Sequence, residues 1–354
     1  MKVCFVSELP HVHKGGVQLQ CYLLATALKK RRREVHYVCR QKPNAEFQGI
    51  NIHIASNKFQ SIKGLRAVSN ILSLIRALEK ANCDIYFQSG AGFDTGLVAA
   101  YCKWSNKIFV YRAALLWDAD LSFSRECGWH SFKKTTKLSY HFGVTNADAI
   151  VCNSETIANK FRKQLPNKKI VMIRNGYPIR KLEGPPEKKG YVLWASRLTW
   201  YKRPGLLIEI AKRLPNYRFI AVGRGDYDFS RAPRNLHFLG FKNGEELYDL
   251  FKHANLFLNT SLVEGFPNTL IESGIYYTPY VTFYDPENIV KNYQLGFQIR
   301  SIDEAVQAIS ELMENPSLRR KMGINIRKYV EENHDIDNIV TEYETLFDEL
   351  TKRA

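Results

Sequence analysis

Ser261-Leu-Val-Glu264-Gly265-Phe266-Pro267-Asn268-Thr269-Leu270-Ile-Glu272 sets two glutamates eight positions apart. The run leading into it, Asn255–Ser261 (NLFLNTS), reads as a buried strand, and Pro267 suits the first position of a helix. The first amides of that helix, Asn268 to Leu270, would then lack intrahelical partners and would face an anion. Glu272 falls little more than a turn into the helix, where a carboxylate can accept bonds from a pair of hydroxyls. A phosphate on the amides beside a polyol on Glu272 describes a sugar nucleotide.

Outward from this stretch the chain alternates strand and helix patterns in both directions. The second half predicts strands at Tyr191–Ser196, Arg218–Val222, His237–Leu239, Asn255–Ser261 and Tyr280–Phe283, with helices from Arg203, Glu245 and Pro267. The first half predicts strands at Val3–Val6, Glu34–Cys39, Asn51–Ala55, Asp84–Gln88, Lys107–Tyr111, Ala149–Asn153 and Lys169–Ile173. Helical periodicity fits Val17–Lys30 and Leu65–Glu79. Such alternation is that of α/β parallel sheets covered by helices. The pattern breaks near Asn175-Gly176-Tyr-Pro178, and 179–190 reads as an exposed linker. The expected division is therefore a first domain over 1–178 and a second over 191–328. A terminal helical segment covers 329–354, with Tyr329–Leu350 its helical core.

Two further clusters sit where parallel strands end. Arg197 and Lys202 follow the Tyr191–Ser196 strand in Ser-Arg-Leu-Thr-Trp-Tyr-Lys, which aims two cations into a ligand crevice. His13-Lys14-Gly15-Gly16-Val17 lies between the first strand and first helix, where glycines let backbone approach a phosphate or sugar. Val222-Gly223-Arg224-Gly225 reads as a glycine turn after a strand and lacks a full nicotinamide fingerprint. Three Asp-x-Asp triplets, at Asp118, Asp226 and Asp335, are too cheap a pattern among 35 acidic residues to predict a metal, and none is assigned.

The Glu-x7-Glu element, in its Glu-Gly-Phe…Leu-Ile-Glu-Ser setting, resembles the signature of retaining glycosyltransferase family 4, the glycosyl transferases of group 1. The resemblance spans nearly the whole chain and is most specific over 191–275. It implies a GT-B fold, in which two Rossmann-like parallel-sheet domains face a central cleft. It further implies transfer of a sugar from a nucleotide diphosphate, UDP favoured and GDP possible, to a hydroxyl acceptor. No cofactor or metal is implied, since the nucleotide sugar is a substrate. By the resemblance Arg197 and Lys202 hold the diphosphate, Glu264 the donor sugar and Glu272 the ribose. Gly15, Gly16, Gly223, Phe241, Asn268, Thr269 and Leu270 contact the donor. The terminal helix is implied to cross back onto the first domain. The chain departs from the family at Phe109–Asp118, which has no histidine where many members place one; Arg112 or a main-chain group is expected to take its place. The run Gly274-Ile-Tyr-Tyr-Thr-Pro279 also replaces the family's Ala-x-Gly-x-Pro.

Composition narrows the acceptor. Residues 1–180 carry 28 Lys+Arg against 11 Asp+Glu, so the whole +16 excess belongs to the first half. Basic residues interleave with aromatics from Trp104 to Phe142, including Arg112, Trp117, Arg125, Trp129, Phe132, Lys133, Lys134, Lys137 and Tyr140. That mixture suits an anionic membrane surface, and core aromatics with solvated lysines explain it equally. The expected partner is a glycan or lipid-linked acceptor of cell-envelope polysaccharide or lipopolysaccharide synthesis. The expected location is cytoplasmic, peripheral on the inner membrane face, with no signal peptide and with seven unpaired thiols. Two rival readings are a sugar-nucleotide epimerase of the same fold and a basic nucleic-acid-binding protein. The second lacks a helix-turn-helix, RRM or zinc-finger signature, and nucleic acid is not an expected partner.

Overall fold

The computed structural model describes residues 1–10, 15–42, 49–56, 65–124, 129 and 132–353. The chain forms two compact units, one of Met1–Pro178 with Ile336–Ala354 and one of Ile179–Asp335.

The first unit runs β1 (Lys2–Val6), α1 (Gly16–Lys30), β2 (Glu34–Cys39), β3 (Asn51–Ile54), α2 (Leu65–Ala81), β4 (Ile85–Ser89), α3 (Phe93–Ser105), β5 (Ile108–Ala113), α4 (Lys134–Asn146), β6 (Ala149–Cys152), α5 (Glu155–Gln164) and β7 (Ile170–Met172). The seven strands pair in parallel in the order β3-β2-β1-β4-β5-β6-β7. β4 and β5 are buried along their whole length, because helices cover both faces of a doubly wound sheet. α3 and α4 approach closely at two glycines. A Cβ on Gly143 would lie 2.6 Å from the Thr95 backbone, and one on Gly96 would overlap the Ser139 carbonyl.

The second unit continues with β8 (Tyr191–Arg197), α6 (Pro204–Arg213), β9 (Arg218–Arg224), β10 (Leu236–Phe238), α7 (Gly244–His253), β11 (Leu256–Asn259), α8 (Asn268–Ile275), β12 (Tyr280–Thr282), α9 (Ile289–Asn292), β13 (Gly296–Gln298), α10 (Ile302–Glu314) and α11 (Pro316–His334). Its six strands are also parallel, in the order β10-β9-β8-β11-β12-β13. Strand order reverses between β8 and β11. In open parallel sheets ligands bind outside the carboxyl ends of the strands at such a reversal.

The chain's end differs from the single helix expected over Tyr329–Leu350. α11 stops at His334, Asp335 is extended at φ −64°, ψ 126°, and α12 (Ile336–Arg353) begins anew. A long-range bond accompanies the break: the Ile336 amide donates to the Tyr177 carbonyl at 3.0 Å. α12 belongs to the first unit and buries Ile339, Val340, Tyr343, Leu346, Phe347 and Leu350. Its Glu344 accepts from Arg31 and Arg33, which occupies two cations of the basic run ending α1.

The 179–190 segment is held to the second unit rather than loose. Arg180 makes a two-pronged bond to Glu245, and the Gly190 amide donates to Asn255. Lys188 Nζ donates to the Lys252 and Tyr276 carbonyls and to Thr278 Oγ1 at 2.9–3.1 Å, next to the C-terminal ends of α7 and α8. Burial pulls this ammonium down to about 7, while the carbonyl ends of two helices favour its charged form.

Candidate functional site

The strand-order reversal of the second unit gathers Arg197, Lys202 and Glu264. Arg197 is the last residue of β8, and Lys202 closes a short 3-10 turn, Trp200–Lys202, before α6. Glu264 lies in the loop from β11 to α8. Three contacts bind these two loops together, and a fourth ties the second loop to β8. Arg203 Nε donates to the Thr260 carbonyl at 2.6 Å, and Thr260 Oγ1 to the Lys202 carbonyl at 2.6 Å. The Leu262 amide donates to the Tyr201 carbonyl at 2.7 Å, and Trp194 Nε1 to Thr260 Oγ1 at 2.8 Å. Arg203, whose φ is +50°, therefore works as a staple and not only as a helix start.

On this scaffold Lys202 Nζ forms an ion pair with Glu264 Oε1, with side chains only 12% and 11% exposed. Ser261 Oγ donates to the same carboxylate oxygen at 2.7 Å, and Tyr284 Oη to the Glu264 carbonyl at 2.9 Å. Arg197 is exposed and donates to the Tyr201 hydroxyl at 2.5 Å. A cation pair beside a buried carboxylate can hold a dianion and orient a polyol at once.

Glu272 sits on α8 and is 7% exposed. Burial, and after it the Glu272 carboxylate, holds the Tyr248 hydroxyl above the usual phenol range. Pro267 is the residue before α8 and not its first, with Asn268 opening the helix. The expectation of three unpartnered amides fails at Leu270, whose N–H donates to the Pro267 carbonyl at 3.0 Å. The tight first turn closes that bond three residues back, as helix ends often do. Thr269 Oγ1 lies 3.1 Å from Tyr280 Oη.

Gly223 lies within β9 and not in a turn after it. It pairs with Ser196 of β8, and a Cβ there would overlap the Ser196 carbonyl oxygen. Sheet packing alone therefore accounts for this glycine. Phe241, 37% exposed, follows Gly240 at φ +69° in the loop after β10.

In the first unit Gly15 precedes α1 in extended conformation, φ −137° and ψ 156°, and neither Gly15 nor Gly16 has a positive φ. A Cβ on Gly15 would meet only the movable end of Gln18. The backbone does not itself demand glycine there. His11, His13 and Lys14 lie outside the described residues, as does Arg125. Arg112 is 3% exposed, and its guanidinium donates to Ser89 Oγ at 3.2 Å and to Asn175 Oδ1. The same burial applies to Asp118, whose carboxylate accepts the Ala114 and Leu115 amides at 2.7 and 3.1 Å. Burial nonetheless raises it to about 6. Asp120 is engaged by Ser122 and Ser124.

The basic aromatic stretch divides in two. Trp129 and Tyr140 are core, at 2% and 0% exposure, whereas Trp104, Phe132, Leu138 and Phe142 are 76, 42, 61 and 40% exposed, among exposed Lys103, Lys133 and Lys134. Among the described residues no helix is long and apolar enough to cross a membrane, and no cluster of three metal-ligating side chains occurs.

Sequence reasoning missed Tyr201, Ser261 and Tyr284. Tyr201 accepts from Arg197 and Ser261 donates to Glu264 within their own loops, whereas Tyr284 reaches the Glu264 carbonyl from the loop after β12, and no motif marks any of the three.

Residues 14–181 match the family described as Glycosyltransferase Family 4, and residues 178–329 match Glycosyl transferases group 1. An uncharacterized glycosyltransferase of Methanocaldococcus jannaschii is 22% identical over 346 residues, 93% of each chain. A second relative from that organism matches over only 41% of its own length. Sucrose-phosphate synthase from Thermosynechococcus elongatus superposes with a TM-score of 0.80 at 14% identity, over all of both chains. HepE of Anabaena, solved with UDP-glucose, gives 0.74 at 16% identity, over 98% of this chain and 100% of that one.

Proposed function

The chain belongs to the GT-B glycosyltransferases of group 1, and from that premise we propose that it transfers a sugar from a UDP-sugar to a hydroxyl with retention. GDP-sugars are the second choice of donor. The reading rests chiefly on one observation: Arg197 and the Lys202–Glu264 pair stand together at the strand-order reversal of the second sheet. The UDP-glucose held by the Anabaena protein of the same fold favours UDP.

In this proposal Arg197 and Lys202 neutralise the diphosphate as negative charge grows on the leaving oxygen. Glu264 orients the donor sugar, and Glu272 accepts from the ribose hydroxyls. The start of α8, through Asn268 and Thr269 over the Leu270 turn, faces the phosphates. The Phe241 backbone, beside Gly223, lies against the base. Gly15 and Gly16 add backbone contacts to the donor, which suits glycines that no turn requires. Retention would proceed by front-side displacement: the acceptor oxygen bonds to the anomeric carbon as the diphosphate leaves, and a donor phosphate oxygen takes the acceptor proton. No metal has a role in these steps. The acceptor is a cell-envelope polysaccharide or lipopolysaccharide intermediate. Exposed Trp104, Phe132, Leu138 and Phe142 among lysines support a peripheral stance on an anionic inner membrane face.

Thermal shift or calorimetry against UDP, GDP, ADP, CMP and dTDP, with Glu272→Ala alongside, tests the donor half. UDP should stabilise the wild type and not the variant. Indifference of the wild type to every nucleotide would reduce the proposal to a fold.

A further inference from the structure

Between the two cations of the second unit stands a side chain that no motif marks. Tyr201 is 7% exposed. Its hydroxyl accepts from Arg197 Nη2 at 2.5 Å, its ring centroid lies 5.8 Å from the Arg197 guanidinium carbon and 5.7 Å from Lys202 Nζ. Trp200 meets the ring edge-on at 5.7 Å and 82°. The Tyr201 carbonyl accepts from Leu262, which ties the phenol's backbone to the loop that carries Glu264.

We propose that Tyr201 is a positioning residue that presets Arg197 and Lys202 for a diphosphate, resting on the reading of those two cations as the diphosphate clamp. Two physical facts carry it. An exposed arginine has many rotamers to lose when it grips a ligand, and each lost rotamer subtracts from affinity. A buried phenol oxygen that accepts one of its five donors removes that freedom beforehand and leaves the other donors for phosphate oxygens. An electron-rich ring near both cations also eases their mutual repulsion before an anion arrives. The Lys202 ammonium already has a counter-charge in Glu264. Arg197 is exposed, so it is the cation that most needs an anchor.

The effect belongs to the second phosphate, which sets the experiment. Calorimetry would compare a nucleoside diphosphate with the monophosphate of the same base, on wild type, Tyr201→Phe and Tyr201→Gln. Wild type should prefer the diphosphate. Tyr201→Phe keeps the ring and packing but loses the hydroxyl, and should shrink that preference about tenfold with monophosphate affinity unchanged. Tyr201→Gln keeps an acceptor for Arg197 without a ring and should fall between the two. In an Arg197→Ala background, Tyr201→Phe should cost nothing further, which a merely structural tyrosine would not satisfy. A full diphosphate preference in both Tyr201 variants would overturn the proposal alone. A wild type that binds both nucleotides equally would remove the diphosphate reading, and the proposal with it.

Discussion

Lys202 and Glu264, 62 residues apart in the chain, form an ion pair in which neither side chain is more than 12% exposed. In the proposed reading, the lysine assigned to a phosphate is thus already neutralised by the carboxylate assigned to the sugar. On that reading, bringing a dianion to Lys202 means sharing its ammonium, and Glu264 should restrain the affinity for a diphosphate. Glu264→Gln keeps the volume and an acceptor for Ser261 while removing the charge. Calorimetry should find a nucleoside diphosphate bound more tightly, by roughly tenfold or about 1.4 kcal/mol, while turnover falls. Weaker binding in Glu264→Gln would mean that the carboxylate holds Lys202 in place and does not compete with the ligand.

Arg197→Ala and Lys202→Ala should lower kcat more than they raise the KM for the donor. In the proposed transfer, charge on the leaving diphosphate peaks as the glycosidic bond breaks, so contacts to it from these two cations would strengthen in the transition state. Lys202→Ala also strands Glu264, and removing one member of a buried pair costs about 3–5 kcal/mol of stability. The Lys202 variant should therefore melt lower, whereas Arg197→Ala, at an exposed position, should not. Steady-state rates with a melting curve for each variant separate the two effects, and wild-type turnover in both would dismiss the pair from the chemistry.

The alternating architecture was legible because buried parallel strands are short β-branched and aromatic runs between amphipathic helices. Glu34–Cys39 is strand from the first residue expected to the last. Long-range relations were less legible. The break at Asp335 is accompanied by a hydrogen bond to Tyr177, and no local residue signals it. The 179–190 segment looks like a linker by composition, yet Lys188 binds it to the ends of α7 and α8 through carbonyls that carry no sequence signature. The same holds in the candidate site. Arg197 and Lys202 stand out as charges at a strand end, but Tyr201 between them reads as an ordinary core aromatic. Gly223 taught the opposite lesson, since its proximity to Ser196 explains the glycine without any ligand.

Gly223→Ala should accordingly destabilise the second sheet whatever the nucleotide does. The added methyl would overlap the Ser196 carbonyl oxygen, inside a paired strand, and overpacking of this kind costs about 1–3 kcal/mol. Denaturant unfolding reads the loss directly. A variant as stable as wild type would show that β8 and β9 can separate slightly at this point.

Asp118 gives a pH dependence whose sign follows from its burial. Its carboxyl is raised from 3.8 to about 6 by desolvation, against the pull of the Ala114 and Leu115 amides. A group that binds its proton more tightly when folded contributes stability fully below the unfolded pKa and loses it as pH rises through the folded one. The contribution should fade between about pH 4 and 6, by on the order of 2–3 kcal/mol. Asp118→Asn keeps an oxygen for both amides and cannot ionise. Its stability relative to wild type should therefore improve from pH 4 to pH 7, read as the difference between two melting or denaturant curves at each pH. Parallel curves across that range would show that the amides hold the carboxylate charged at no cost, and that burial does not govern this group.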